Sequence, residues 1–91
     1  MNTLTLNNGP LATDVEVSDV MLRVSLEDGR ELSVPVAWFP RLRAATSEQR
    51  TNWRLIGRGE GIHWPDIDED ISIIGLLAGN GDAARRPRSA A

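Results

Sequence analysis

Residues 20–36 read VMLRVSLEDGRELSVPV, and their pattern decides the fold class. Val20, Leu22, Val24 and Leu26 alternate with Met21, Arg23 and Ser25, the period of two that marks a strand with one buried face. Glu27-Asp28-Gly29-Arg30 follows, and Asp-Gly predicts a hairpin through a type I′ turn with positive φ at both central residues. Glu27 and Arg30 would flank that turn as an exposed cross-strand pair. The chain returns as ELSVPV, with Leu32, Val34 and Val36 on one face. Pro35 has no amide hydrogen to give a neighbouring strand, so this strand belongs at a sheet edge or ends there.

Upstream, Val15-Glu16-Val17 is expected to open the same strand, which would run from about Asp14 to Leu26 and bend near Ser18-Asp19. A short strand through Leu4 and Leu6 is a further expectation within residues 1–11. Downstream the period changes. Trp38, Leu42 and Ala45 fall at helical spacing, and Pro40 suits a first helical turn. Thr46-Ser47-Glu48-Gln49 is a capping box, in which Thr46 and Gln49 satisfy each other's backbone amides and start a second short helix. That helix should run from Ser47 to about Asn52, with Glu48 and Arg50 on its exposed face. Trp53 to Ile56 reads as a strand, and Gly61 to Trp64 as its continuation or partner. Ser72 to Ala78 reads as a third short helix, with Ile73, Leu76 and Leu77 on one face and Gly79 as its C-cap. The result is an α+β domain over residues 12–79: a small antiparallel sheet built on the hairpin, two short helices in the middle and one at the end. Residues 80–91, NGDAARRPRSAA, lack apolar periodicity and are expected to form a mobile tail.

Composition narrows the function classes. Ninety-one residues make room for one domain, and 41% hydrophobic with 25% charged is globular composition. There is no cysteine, which excludes disulfides and thiolate chemistry. The ten basic residues are all arginine, so no lysine can form a Schiff base. A net charge of -3 argues against autonomous nucleic-acid binding, whose footprint is a basic face. No secretory signal opens the sequence and no apolar run reaches membrane-spanning length, which implies a cytoplasmic protein with no membrane partner.

The stretch GRGEGIHWPDIDEDI carries the candidate chemistry. Gly57-Arg58-Gly59-Glu60-Gly61 misses the dinucleotide spacing, and its central glutamate repels phosphate, so the glycines are expected to serve turn geometry. Asp66, Asp68 and Asp70 start like a calcium loop. Ile71 then stands where glycine is required and Leu77 where the closing glutamate is required. Asp68, Glu69 and Asp70 are read instead as preceding a helix and complementing its dipole. His63 is the single histidine, too few nitrogen ligands for zinc, and a His63–Asp66 acid/base pair has no nucleophile motif to serve. Of the three tryptophans, at least one should be core, and Trp64 is a candidate for an interface. These residues imply no catalytic group and no cofactor.

The chain also resembles a family, the bacterial domain of unknown function 2442. The resemblance rests on Asp28-Gly29-Arg30, Trp38-Phe39-Pro40-Arg41-Leu42, Glu48-Gln49-Arg50, Asn52-Trp53 and Gly61-Ile62-His63-Trp64-Pro65. Asp68-Glu69-Asp70-Ile71-Ser72 and Gly75-Leu76-Leu77 complete it, over residues 12–79. It implies a small α+β fold with an antiparallel sheet and no established catalytic activity. It further implies a companion protein, of the domain of unknown function 4160 type, in a gene pair resembling a toxin–antitoxin operon with this chain as antitoxin. Relatives with an added helix-turn-helix domain are larger than this chain has room for. The expectation is thus a non-enzymatic protein-binding module that neutralises a small toxin by occlusion. Its contact residues would be Trp64, Asp66, Asp68, Glu69 and Asp70, with Arg85, Arg86 and Arg88 as a tail that orders on binding. Two alternatives stand beside it: a metal or small-ligand site centred on His63 and the carboxylates of Asp66 to Asp70, and a domain that self-associates into a homo-oligomer.

Overall fold

The computed structural model describes residues 9–79. The N-terminal strand expected through Leu4 and Leu6, and the tail with Arg85, Arg86 and Arg88, lie outside the described residues. The fold is a small α+β one, but it contains two three-stranded antiparallel sheets where one was expected. Strands β1 (Ala12–Val17), β2 (Met21–Leu26) and β3 (Glu31–Pro35) form the first, in that order. A single 3-10 turn, Val36–Trp38, leads to helices α1 (Pro40–Ala44) and α2 (Ser47–Thr51). Strands β4 (Arg54–Ile56), β5 (Gly61–Trp64) and β6 (Glu69–Ser72) form the second sheet, and helix α3 (Ile73–Leu77) ends the described chain.

The central hairpin forms as its alternation predicts from Leu22 onward, but Val20, expected on the same buried face, precedes β2 and is 68% exposed, because Ser18 takes its N–H into the turn. Leu22, Val24 and Leu26 are buried, Arg23 faces solvent, and β3 is an edge strand ending at Pro35. The turn differs from expectation. Gly29 N–H donates to the Leu26 carbonyl at 3.0 Å, and Leu26 N–H to the Arg30 carbonyl at 2.9 Å. Gly29 has φ of 94° while Asp28 is not left-handed, so this is a three-residue loop with glycine at the left-handed position. Asp28 accepts from the backbone N–H of Arg30 at 3.0 Å and from its Nε at 2.9 Å, which replaces the expected Glu27–Arg30 pair. These bonds, the backbone one foremost, hold the Asp28 carboxyl below its ordinary pKa. A depressed carboxyl supports the native turn at neutral pH, and that support is lost as pH falls through its native pKa.

The expected single strand from Asp14 to Leu26 is instead two strands paired antiparallel, with Val15 opposite Val24 and Val17 opposite Leu22. Ser18 makes the reversal: its hydroxyl accepts from the N–H of Val20 at 3.2 Å and of Met21 at 3.0 Å. A serine hydroxyl that takes the amides ahead of it favours a turn over continued strand.

The helical segment starts as read, with Pro40 in the first turn of α1 and both bonds of the Thr46–Gln49 capping box formed at 3.0 and 2.9 Å. Arg50, however, does not lie on an exposed face; it is buried. Its Nε donates to the Leu42 carbonyl at 3.1 Å and Nη2 to the Arg43 carbonyl at 2.7 Å, which caps the C-terminal end of α1. Nη1 reaches Asp19 in the β1–β2 turn at 2.6 Å. One guanidinium thus fastens three segments. Arg50→Met, which keeps the stem and removes every donor, should cost about 2–3 kcal/mol through the carbonyls left behind. Urea unfolding should show a lower midpoint at unchanged m-value; a shift below about 0.5 kcal/mol would mean that water replaces the guanidinium without penalty.

The second sheet also alternates. Ile62 and Trp64 of β5 and Glu69 and Ile71 of β6 face inward and are buried, with Ile62 opposite Ile71 and Trp64 opposite Glu69. Ile62, Trp64 and Ile71, together with Leu22, Val24, Phe39, Leu42, Ile73 and Leu76, belong to a single hydrophobic cluster shared by both sheets. The acidic stretch therefore enters a strand, not a helix: α3 begins only at Ile73, with Ser72 accepting from Gly75 N–H at 3.0 Å.

Candidate functional site

The two hairpins of the second sheet hold every chemically suggestive residue within the described chain. In the β4–β5 loop, residues 57–60, Glu60 bends its carboxylate back to accept from Arg58 N–H at 2.8 Å. A backbone amide that a phosphate would need is already taken, so the loop is turn geometry, with Gly57 at φ of 63° and Gly59 at 118°.

The β5–β6 turn, residues 65–68, is braced from outside. Asn52 Nδ2 donates to Asp66 at 3.0 Å, while Arg41 Nη1 donates to the Asp68 carbonyl at 2.9 Å and the Ile67 carbonyl at 3.4 Å. Asp68 sits at φ of 54°, a conformation aspartate tolerates better than most residues. Asp66 and Asp68 are exposed on this fixed turn. Asp66 also borders a shallow depression with Glu48, Gln49, Thr51 and Asn52.

Two of the expected contact residues are corrected here. Trp64 is fully buried and Glu69 is 1% exposed, because both occupy inward positions of their strands. Neither side chain can meet a partner without unfolding the sheet. Trp64 is instead the core tryptophan, its Nε1 donating to the Arg50 carbonyl at 3.1 Å, while Trp38 and Trp53 pack half-buried at the margin.

The outward face of the second sheet carries a row the sequence reading missed. Arg54 on β4, His63 on β5 and Asp70 on β6 are cross-strand neighbours in register. His63 Nδ1 meets the Asp70 carboxylate in a hydrogen bond, displacing the expected His63–Asp66 pair. A carboxylate can only accept, so the bond fixes the proton on Nδ1 and turns Nε2 outward. The Arg54 side chain makes no hydrogen bond or ion pair among the described residues. With Leu55 and Ile56, the three line an open depression of about 350 Å³. The signal was available: folding the chain about residues 65–68 lays His63 on Asp70 and Trp64 on Glu69.

The aspartates do not converge. Asp66 turns to Asn52, Asp70 to His63, and among the described residues no three His, Asp or Glu side chains are grouped to hold a metal. Among them, too, no helix is long and apolar enough to cross a membrane.

Two small antiparallel sheets sharing one core, with three single-turn helices and an acidic hairpin tip, define the class: a compact α+β domain. The chain belongs to the family described as "Protein of unknown function (DUF2442)", whose model matches residues 12–82. It is similar to the crystal structure of a protein of unknown function from Rhodospirillum rubrum, at 32% identity and a TM-score of 0.68, over 80% of this chain and 90% of that one. No curated protein matches it.

Proposed function

We propose that the domain is a non-enzymatic protein-binding module, the antitoxin-like member of a pair that neutralises a small basic toxin by covering its working surface. The observation that supports this best is the braced β5–β6 turn, where Arg41 and Asn52 fix an exposed acidic protrusion before any partner arrives. A preformed contact surface avoids the entropy of ordering a loop on binding. Its charge, together with the net -3 of the chain, suits a basic partner by steering encounter and rejecting acidic competitors. The contact set is Asp66 and Asp68, with Asp70 at the edge and the arginines 85, 86 and 88 as a following segment. Trp64 and Glu69 act from beneath by holding the hairpin. The partner class is a protein of the domain of unknown function 4160 type, in the cytoplasm.

Co-expression with the neighbouring reading frame tests the reading. The two products should co-purify, and this chain should relieve growth arrest caused by the other. Reversing Asp66 and Asp68 together to arginine should weaken the complex at least tenfold while the isolated domain still melts cooperatively. Neither a complex nor relief of arrest would sink the proposal.

A further inference from the structure

The outward row Arg54–His63–Asp70 meets the acidic tip's contacts only at Asp70, and its chemistry does not rest on the partner reading. We propose that this face is a binding site for a small oxyanion, a carboxylate or phosphate, held between the Arg54 guanidinium and Nε2–H of His63.

The register supplies the geometry. Arg54 opposes His63 and His63 opposes Asp70, so the three side chains leave the same face of adjacent strands. Cross-strand neighbours stand about 4.5–5.5 Å apart at Cβ, a span a carboxylate or phosphate bridges with two oxygens. Asp70 takes Nδ1–H, which holds the ring in place and leaves only Nε2 for a ligand. His63 is about one-fifth exposed and Asp70 about two-fifths, so both are sheltered without being sealed. Arg54 is exposed and its side chain makes no hydrogen bond or ion pair among the described residues, leaving its fork of donors available. Leu55 and Ile56 complete the wall of a depression whose 350 Å³ matches a small organic anion.

Charge decides which ligand fits. With neutral imidazole the row sums to zero and Nε2 presents a lone pair that repels an anion. With imidazolium the row carries one net positive charge, and Nε2–H and the guanidinium both donate into the depression. The site therefore uses the doubly protonated ring, which offers Nε2–H to the ligand while Nδ1–H stays on Asp70. The other charged groups lining the depression are Arg54 from β4 and Asp70 from β6.

The chain has one histidine, so its ring resonances are unambiguous in an NMR titration of the full-length protein. Phosphate and butyrate serve as probes, each against chloride at matched ionic strength. A saturable shift of the ring signals and of Arg54 Nε–H is expected, and Arg54→Gln should weaken it about tenfold or more. Saturation by both probes assigns a general oxyanion site, by phosphate alone a phosphate site, and by butyrate alone a carboxylate site with an apolar wall. Shifts that follow chloride, or that persist unchanged in Arg54→Gln, overturn the proposal.

Discussion

Trp64→Ala should remove a large share of the domain's stability. The side chain is fully buried, and truncating a buried tryptophan costs about 3–5 kcal/mol. A further 1–3 kcal/mol, roughly, attaches to the Arg50 carbonyl that loses its indole donor. A domain of this length has a total stability of only about 5–14 kcal/mol at the usual value per residue. Trp64→Phe separates the two contributions, since it keeps most of the ring and removes the N–H. It should fold, with a loss of about 1–3 kcal/mol. Far-UV circular dichroism during urea unfolding reads both variants, and fluorescence of Trp38 and Trp53 reports the rest of the core. If Trp64→Ala lost less than about 1 kcal/mol, the tryptophan would be a surface group after all, and the interface role first expected of it would return.

The residues whose roles were legible share a cause. Leu22 to Leu26, the position of the turn at Asp28-Gly29 and the Thr46–Gln49 box are local devices, in which the pattern and the bond it implies lie within a few residues. The misreadings arise where a distant partner decides. Glu69 at an inward position breaks the apolar alternation of β6, so the strand was read as a helix approach, and His63 was matched with Asp66 instead of Asp70. Arg50 scores as a solvent-facing helix residue until the carbonyls of Leu42 and Arg43 and the carboxylate of Asp19 are brought to it. Ser18 could have been recognised, because a hydroxyl followed by Asp19 is a turn signal in its own right. The contact residues first expected divide accordingly: inward strand positions bury Trp64 and Glu69, while the turn leaves Asp66 and Asp68 outside.

Gly59→Ala is expected to cost about as much as the tryptophan change, though it adds a single methyl group. An alanine Cβ there would stand 2.4 Å from the Ala12 carbonyl oxygen and 2.9 Å from its nitrogen. Both are backbone atoms, so no side chain can swing aside. Nor can β1 retreat freely, because Ala12 N–H donates to the Gly59 carbonyl at 2.9 Å, a backbone bond that ties the first sheet to the second. Backbone strain at φ of 118° contributes about 1–3 kcal/mol and the collision a further 1–3 kcal/mol or so. Gly29→Ala is the control: its φ is 94°, yet nothing lies within 4 Å of the added methyl, so only the backbone part should appear. The difference between the two variants in urea therefore measures how closely the loop presses on β1. Equal losses would mean that the sheets sit farther apart, and that Gly59 is retained for its turn alone. A larger loss at Gly59 makes the glycines of GRGEG a docking device between sheets, with Gly59 serving the approach of backbone to backbone that a phosphate loop reserves for its ligand.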